Sequence, residues 1–205
     1  MLKNRYHSVQ FLTSAAQLKQ LPEDSGIEIA FAGRSNAGKS TLLNCLTQQK
    51  RLAKTSKTPG RTQLINLFSI DPDRRLVDLP GYGYAQVPQD VKERWQRTLA
   101  LYLEKRKCLK GIILLMDSRH PLQPLDMQLL DYNMNRHLPT HIVLTKIDKL
   151  TNSQAKSTLL KMKKTFEDET DLLSIQTFSS LTKVGLSELV QKMDGWFAWE
   201  ESRDS

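Results

Sequence analysis

Hydrophobic and polar positions change period repeatedly along this 205-residue chain, and each change marks a predicted element. Ile27-Glu28-Ile29-Ala30-Phe31-Ala32 is an apolar run of strand length, followed after a short loop by helically spaced Thr41-Leu42-Leu43-Asn44-Cys45-Leu46. Residues 63–70 alternate apolar and polar over part of their length, Asp71-Pro72-Asp73 makes a tight turn, and 75–79 read as the next strand. That connection is too short for a crossover helix, so the pair is predicted to be an antiparallel hairpin. Val91, Trp95, Leu99 and Tyr102 fall on one stripe of a helix over 90–107, and 111–117 reads as a fully buried strand. A helix over 123–136 with Leu125, Leu129 and Leu130 inward, a strand over 141–146, an amphipathic helix over 152–169 and a strand over 173–178 follow. Leu186, Leu189, Val190, Met193, Trp196 and Phe197 form the apolar side of a final helix, which Trp199 either joins or leaves for solvent.

This alternation predicts a mostly parallel sheet with helices packed on it. Residues 1–26 read as a lead-in, extended over 9–12 and helical over 15–19, and 201–205 read as a frayed tail. The length suits one buried α/β core rather than two. No apolar run approaches the ~20 residues that span a bilayer, and no signal peptide is read at the amino terminus. Cys45 and Cys108 match no metal spacing, which fits a reduced cytosolic chain.

Charge changes the picture because of its placement. The net charge is +8, yet residues 50–61 carry five basic residues and no acid, and 92–110 carry seven against two acids. Those two segments hold an excess of +10 against +8 for the whole chain, so the remainder is slightly acidic at −2. A concentrated excess of this kind points to a polyanionic partner such as RNA.

The candidate chemistry starts at Gly33-Arg34-Ser35-Asn36-Ala37-Gly38-Lys39-Ser40, which fits G-x-x-x-x-G-K-[ST] between a strand and a helix. Backbone N–H groups of such a loop converge on phosphate oxygens, helped by the positive end of the following helix. Lys39 is placed to reach the β- and γ-phosphates, and the Ser40 hydroxyl to hold Mg²⁺. This loop alone leaves ATP and GTP open. Asp78-Leu79-Pro80-Gly81 lies at a strand's carboxyl end, where Asp78 can hold Mg²⁺ through water and the Gly81 N–H can approach the γ-phosphate. Thr145-Lys146-Ile147-Asp148 ends another strand: the Asp148 carboxylate matches the two donors on the guanine edge, which adenine lacks, and the Lys146 stem can lie over the purine face. Phe178-Ser179-Ser180 can offer a backbone N–H to guanine O6. Thr62, in Thr58-Pro59-Gly60-Arg61-Thr62, completes the Mg²⁺ shell in the manner of a switch, with Thr58 as the rival ligand.

GRSNAGKS, TSKTPGRTQLINLF, LVDLPGYGYA, DSRHPL, LTKID and FSSL, in this order, closely resemble the EngB (YihA/YsxC) family of bacterial ribosome-biogenesis GTP-binding proteins, over essentially all of 9–200. The resemblance implies a Ras-like three-layer α/β/α domain over 27–200, with a six-stranded mixed sheet of five parallel strands and one antiparallel. It implies nucleotide contacts at 33–40, at Gly60, Arg61, Thr62, Gln63 and Leu64, and at 78–81, 145–148 and 178–180, with Mg²⁺ at Ser40, Thr62 and Asp78. It also implies a bacterial cytoplasmic monomer acting in large ribosomal subunit assembly and required for cell division and septation.

Tyr82 stands where Ras-like enzymes carry a water-orienting Gln, so intrinsic hydrolysis should be slow and rest on Lys39, Thr62, Gly81 and Asn36. Related bacterial GTPases with an Asn at the Asn36 position resemble potassium-dependent enzymes, so a K⁺ ion held partly by Asn36 is one source of transition-state charge. An arginine from a partner is another. His120 and Arg119 read as making local bonds rather than touching a partner. Two functions are weighed: a GTP-hydrolysing switch docked on ribosomal RNA through 50–61 and 92–110, and a GTP-bound scaffold acting on the division machinery with little turnover. The position of the basic segments beside Thr62 and Gly81 favours the first, because it couples nucleotide state to docking.

Overall fold

The computed structural model describes residues 5–53, 64–83 and 89–199, with the side chains of 89–92 and 94–96 outside that description. Seven strands form one sheet in the order β1-β3-β4-β2-β5-β6-β7. They are β1 (Gln10–Ala15), β2 (Ile27–Gly33), β3 (Ile65–Ser69), β4 (Arg74–Asp78), β5 (Leu109–Asp117), β6 (Thr140–Thr145) and β7 (Leu173–Thr177). β3 is antiparallel to β1 and β4, so the other six share one direction. The helices are α1 (Lys39–Thr47), α2 (Gln89–Lys105), α3 (Pro124–Asn135), α4 (Asn152–Thr165) and α5 (Leu186–Trp196).

The sheet therefore has one strand more than the six expected. The added strand is β1, in the stretch read as a lead-in. Its signal is weak because it is an edge strand: Phe11 and Leu12 stay exposed, and only Ala15 is buried. Pairing with β3, with a bulge between Phe11 and Thr13, supplies what its own side chains do not. The remaining expected strands and helices appear within a few residues, including the β3–β4 hairpin.

The pleat divides the core into two layers. Ile29, Phe31, Ile113 and Leu115 face α1 and α5, while Ala30, Ala32, Ile112 and Leu114 face α2, α3 and α4. Gly111 permits one close approach: a Cβ there would meet the Trp196 ring at 2.5 Å, so the indole lies directly on β5. Trp199 joins the core edge rather than solvent. Its ring packs on Tyr6 and Phe197 at 5.4 and 5.0 Å, with the Arg5 and Arg74 guanidinium groups over it at 5.1 and 5.4 Å.

At the amino-terminal edge of the sheet sits a buried ionic cluster. Glu28, fully buried, accepts hydrogen bonds from Arg75 Nε (3.0 Å), Tyr102 Oη (2.8 Å), Arg106 Nε (3.0 Å) and Arg106 Nη2 (2.7 Å). Arg106 also donates to the Pro22 and Glu23 carbonyls, so the cluster ties the end of α2 to β2 and to the preceding loop.

Candidate functional site

Parallel strands place their carboxyl ends, and the loops that leave them, along one edge. β2, β4, β5, β6 and β7 end there at Gly33, Asp78, Asp117, Thr145 and Thr177. The candidate residues therefore converge although they are scattered over more than a hundred positions of sequence.

The loop after β2 turns sharply onto α1. A Cβ on Gly33 would come within 2.7 Å of the Leu115 carbonyl oxygen, and Gly38, the residue before α1, has φ +96°, so both positions require glycine. Asn36 has φ 63°, a left-handed conformation that Asn tolerates better than most residues, and its side chain is exposed. Between them Ala37 is buried and donates to the Arg34 carbonyl. Lys39 and Ser40 open α1, and the Lys39 ammonium is ion-paired to the buried Asp78 carboxylate at the end of β4. This pairing brings the two halves of the expected phosphate and metal site together. The Ser40 hydroxyl and Asp78 carboxylate are hard oxygen donors of the kind Mg²⁺ takes, and a metal held this sparsely by protein is completed by phosphate and water.

The segment after β4 lies against that loop. Leu79 N–H donates to the Phe31 carbonyl, Ser35 N–H to the Tyr82 carbonyl (2.7 Å) and Tyr82 N–H to the Gly33 carbonyl. Leu79 is buried, Pro80 follows it, and a Cβ on Gly81 would touch Ser35 at 3.4 Å. The Tyr82 side chain, read from sequence as an inferior stand-in for a water-orienting Gln, turns away from this edge. It is buried and donates its hydroxyl to Asp126 Oδ1 of α3 at 2.7 Å. Burial, then the Asp126 charge, pushes its phenol well above the ordinary range, so it stays a donor.

The residues expected to recognise the base gather around the ends of β6 and β7. Thr145 is buried and donates its hydroxyl to the Ala37 carbonyl at 2.7 Å, tying β6 to the phosphate loop. Lys146 follows with φ 59°, and its ammonium donates to the Asn36 carbonyl (2.6 Å) and to Asp117 Oδ2 (3.0 Å). Ile147 and Asp148 form a 3-10 turn with Lys149. Phe178 is buried and donates its N–H to the Leu144 carbonyl, which sets Ser179 and Ser180 beside Asp148. The buried Ser179 hydroxyl donates to Asp148 Oδ1 at 2.8 Å and accepts from the Leu181 and Thr182 N–H groups. Sequence reading gave this segment only a backbone role. The side-chain role of Ser179 is what it missed, because the hydroxyl's target lies 31 positions away.

Leu64 is exposed just before β3. Thr58, Gly60, Arg61, Thr62 and Gln63 lie outside the described residues, as do the side chains of Lys92 and Arg94. Arg119 makes the local bonds expected of it, donating through Nε and Nη2 to the two oxygens of Asp117.

For the described residues of the basic segments the expected position needs correction. α1 and α2 both start near the site and run to the opposite edge of the sheet. At 17 residues α2 covers about 25 Å. Lys105, Lys107 and Lys110 are therefore exposed at the far edge, and Arg106 is consumed by Glu28. Lys50 and Arg51, after α1, lie at that far edge too, where Gln49 bonds the His7 and Val9 carbonyls. Along the sequence these residues adjoin the site; in space the sheet separates them from it.

Among the described residues no helix is long and apolar enough to cross a membrane, and no cluster of His, Cys, Asp or Glu could by itself hold a metal ion. Residues 28–146 match the family described as 50S ribosome-binding GTPase. Among curated proteins, the chain is 53% identical over 197 residues to the probable GTP-binding protein EngB of Glaesserella parasuis, covering 96% of this chain and 94% of that one. It is 55% identical over 201 residues to the Pasteurella multocida protein of the same name, covering 96% of each. Among solved structures, a probable GTP-binding protein EngB shares the fold with a TM-score of 0.67 at 24% identity, over 83% of this chain and 98% of that one. Era of Aquifex aeolicus bound to GDP·AlF4⁻ does so with a TM-score of 0.65 at 23% identity, over 85% and 57%. The carboxyl edge thus gathers the residues expected to meet phosphate, metal and guanine, and the chain belongs to the EngB family of GTP-binding proteins, among the ribosome-binding GTPases.

Proposed function

We propose that the chain is a Mg²⁺-dependent GTP-binding switch with slow intrinsic hydrolysis that acts in large ribosomal subunit assembly, and that normal cell division and septation depend on it through that role. The observation that carries the reading is the convergence of Lys39, Asp78, Lys146, Asp148 and Ser179 on one sheet edge. Residues 33–40 and Gly81 hold the phosphates, Ser40, Thr62 and Asp78 hold the metal, and Asp148 reads the guanine edge. Fixed by Ser179, the Asp148 carboxylate meets two guanine donors without having to reorient. A bound Mg²⁺ supplies charge neutralisation at the β- and γ-phosphates.

Hydrolysis is slow because Tyr82, at the position of a water-orienting Gln, is committed to Asp126. A K⁺ ion held partly by the exposed Asn36 supplies the missing charge, with a partner's arginine as the alternative. Ribosomal RNA is met by the basic segments 50–61 and 92–110. Their exposed lysines at the far sheet edge supply salt-sensitive attachment, and the coupling to nucleotide falls to the residues of these segments that adjoin Thr62 and Gly81 in sequence.

The test is co-sedimentation with purified large subunits across a salt series, with a non-hydrolysable GTP analogue against GDP. Tighter binding with the analogue and a steep salt dependence are expected. In Asp148→Asn, the amide pairs with the N1–H and C2 carbonyl of xanthine, so the xanthosine analogue should replace the guanosine one. Binding that ignores the nucleotide would refute the switch and favour a scaffold.

A further inference from the structure

We infer that Asp117 is a positioning residue for the nucleotide base, acting through Lys146. The inference rests on the reading that Lys146 and Asp148 hold guanine.

Asp117 is the last residue of β5 and pairs in register with Thr145, so its carboxylate stands beside the first residue after β6. Two acceptors from different elements hold the Lys146 ammonium. The Asn36 carbonyl takes it from the phosphate loop at 2.6 Å, and Asp117 Oδ2 takes it from β5 at 3.0 Å. The left-handed backbone of Lys146, φ 59° and ψ 33°, fixes where its side chain leaves the main chain. With both ends fixed, the four-carbon stem between them has little freedom left.

A lysine stem is otherwise among the most mobile of side chains, and a purine that stacks on it must pay for its ordering. Asp117 meets that cost before the base arrives. Arg119 makes the arrangement sustainable. It grips both Asp117 oxygens, Nε to Oδ1 at 2.9 Å and Nη2 to Oδ2 at 2.7 Å, which leaves the carboxylate one orientation toward Lys146. Arg119 and Lys146 both pair with Asp117, and Lys149 lies 3.8 Å from the Asp148 carboxylate.

A contact with the ring face and one with the ring edge are distinguishable. The stem touches the face, which GDP and IDP share; Asp148 reads the edge, where IDP lacks the 2-amino group. Asp117→Asn should therefore weaken GDP and IDP by the same factor, on the order of tenfold. In a Lys146→Met background the same change should do nothing further, because its route has been removed. Arg119→Ala should change affinity less than Asp117→Asn.

The experiment measures dissociation constants for GDP and IDP in wild type, Asp117→Asn, Lys146→Met, the double variant, Arg119→Ala and Asp148→Asn, each with its melting temperature. Equal loss from Asp117→Asn in both backgrounds would overturn the inference, as would an altered GDP-to-IDP ratio or an equal loss in Arg119→Ala. If Asp148→Asn leaves GDP binding intact, the site assignment itself fails. If Asp148→Asn loses GDP and Asp117→Asn does not, only the inference fails.

Discussion

Replacing Glu28 by Gln should be among the most damaging single changes to this protein's stability, although Glu28 lies far from the nucleotide edge. Its carboxylate accepts four hydrogen bonds from Arg75, Tyr102 and Arg106, and both its side chain and that of Arg106 are almost completely enclosed, at 0% and 6% exposure. Gln removes the charge and turns one acceptor oxygen into an amino group facing guanidinium donors. Two buried arginines then lose the Glu28 charge, with only the more distant Asp24 carboxylate, 3.8 Å from Arg106, left to them, a change that typically costs about 3–5 kcal/mol. For a chain of this size that lowers the melting temperature by on the order of 10 °C. The matched control is Glu104→Gln. Lys105 meets Glu104 at 2.7 Å, the same separation as Arg106 and Glu28, but the exposures there are 63% and 43%. Solvent screens that pair, so its loss should not move the midpoint measurably. Thermal and urea unfolding of the two variants, in parallel with wild type, give the comparison. Equal shifts would refute the argument that enclosure rather than distance sets the value of the ion pair. GDP affinity of Glu28→Gln, measured below its melting range, should stay within about twofold of wild type, since Glu28 and Gly33 are five residue steps apart along β2, about 16 Å. Burial pushes the Glu28 carboxyl up, but the Arg106, Tyr102 and Arg75 contacts outweigh it and hold it below its ordinary value. Its contribution is therefore complete above the unfolded pKa and fades as pH falls below it, so the acid limb of unfolding should be shallower in the variant.

His141 gives a second pH dependence at higher pH. Burial lowers its imidazole from 6.5 to about 4, with the ring between the Ser174 hydroxyl and Gln176 Oε1 at 2.7 and 2.8 Å. The unfolded chain takes up the proton first, so this stability is present above pH 6.5 and lost as pH falls toward 4. Between pH 7 and pH 5 the loss should be about 2 kcal/mol in urea unfolding, and His141→Gln should flatten that slope; an unchanged slope would exclude His141 as its source. For Tyr82→Phe, the lost donor to buried Asp126 should cost about 1–3 kcal/mol while GTP turnover stays near wild type. Both proteins should turn over faster in KCl than in NaCl at equal ionic strength. A collapse of turnover in Tyr82→Phe would place the hydroxyl in the reaction, and equal rates in the two salts would remove K⁺ from it.

What the sequence determined is what is encoded locally. The phosphate loop was legible because glycines at 33 and 38, and the strand and helix around them, lie within a few residues of one another; the segments 78–81, 145–148 and 178–180 were placed because each follows a recognisable strand. The element order was legible for the same reason, since a buried strand and an amphipathic helix each carry their own period. β1 was only half legible: its side chains face largely outward, and pairing with β3, more than fifty residues away, makes it a strand.

Tertiary structure alone decided the rest. Tyr82 adjoins Gly81 in sequence, yet its side chain leaves the site for Asp126 because an aromatic ring gains more from the layer under α3 than from the polar edge. Charge counting treated residues 92–110 as one basic surface. Folding buries Arg106 against Glu28 and carries Lys105, Lys107 and Lys110 to the opposite edge of the sheet. The support given to Asp148 by Ser179, and to Lys146 by Asp117, depends on which strand ends become neighbours. Strand order is a property of the packed sheet, so no local pattern in the chain announces those contacts.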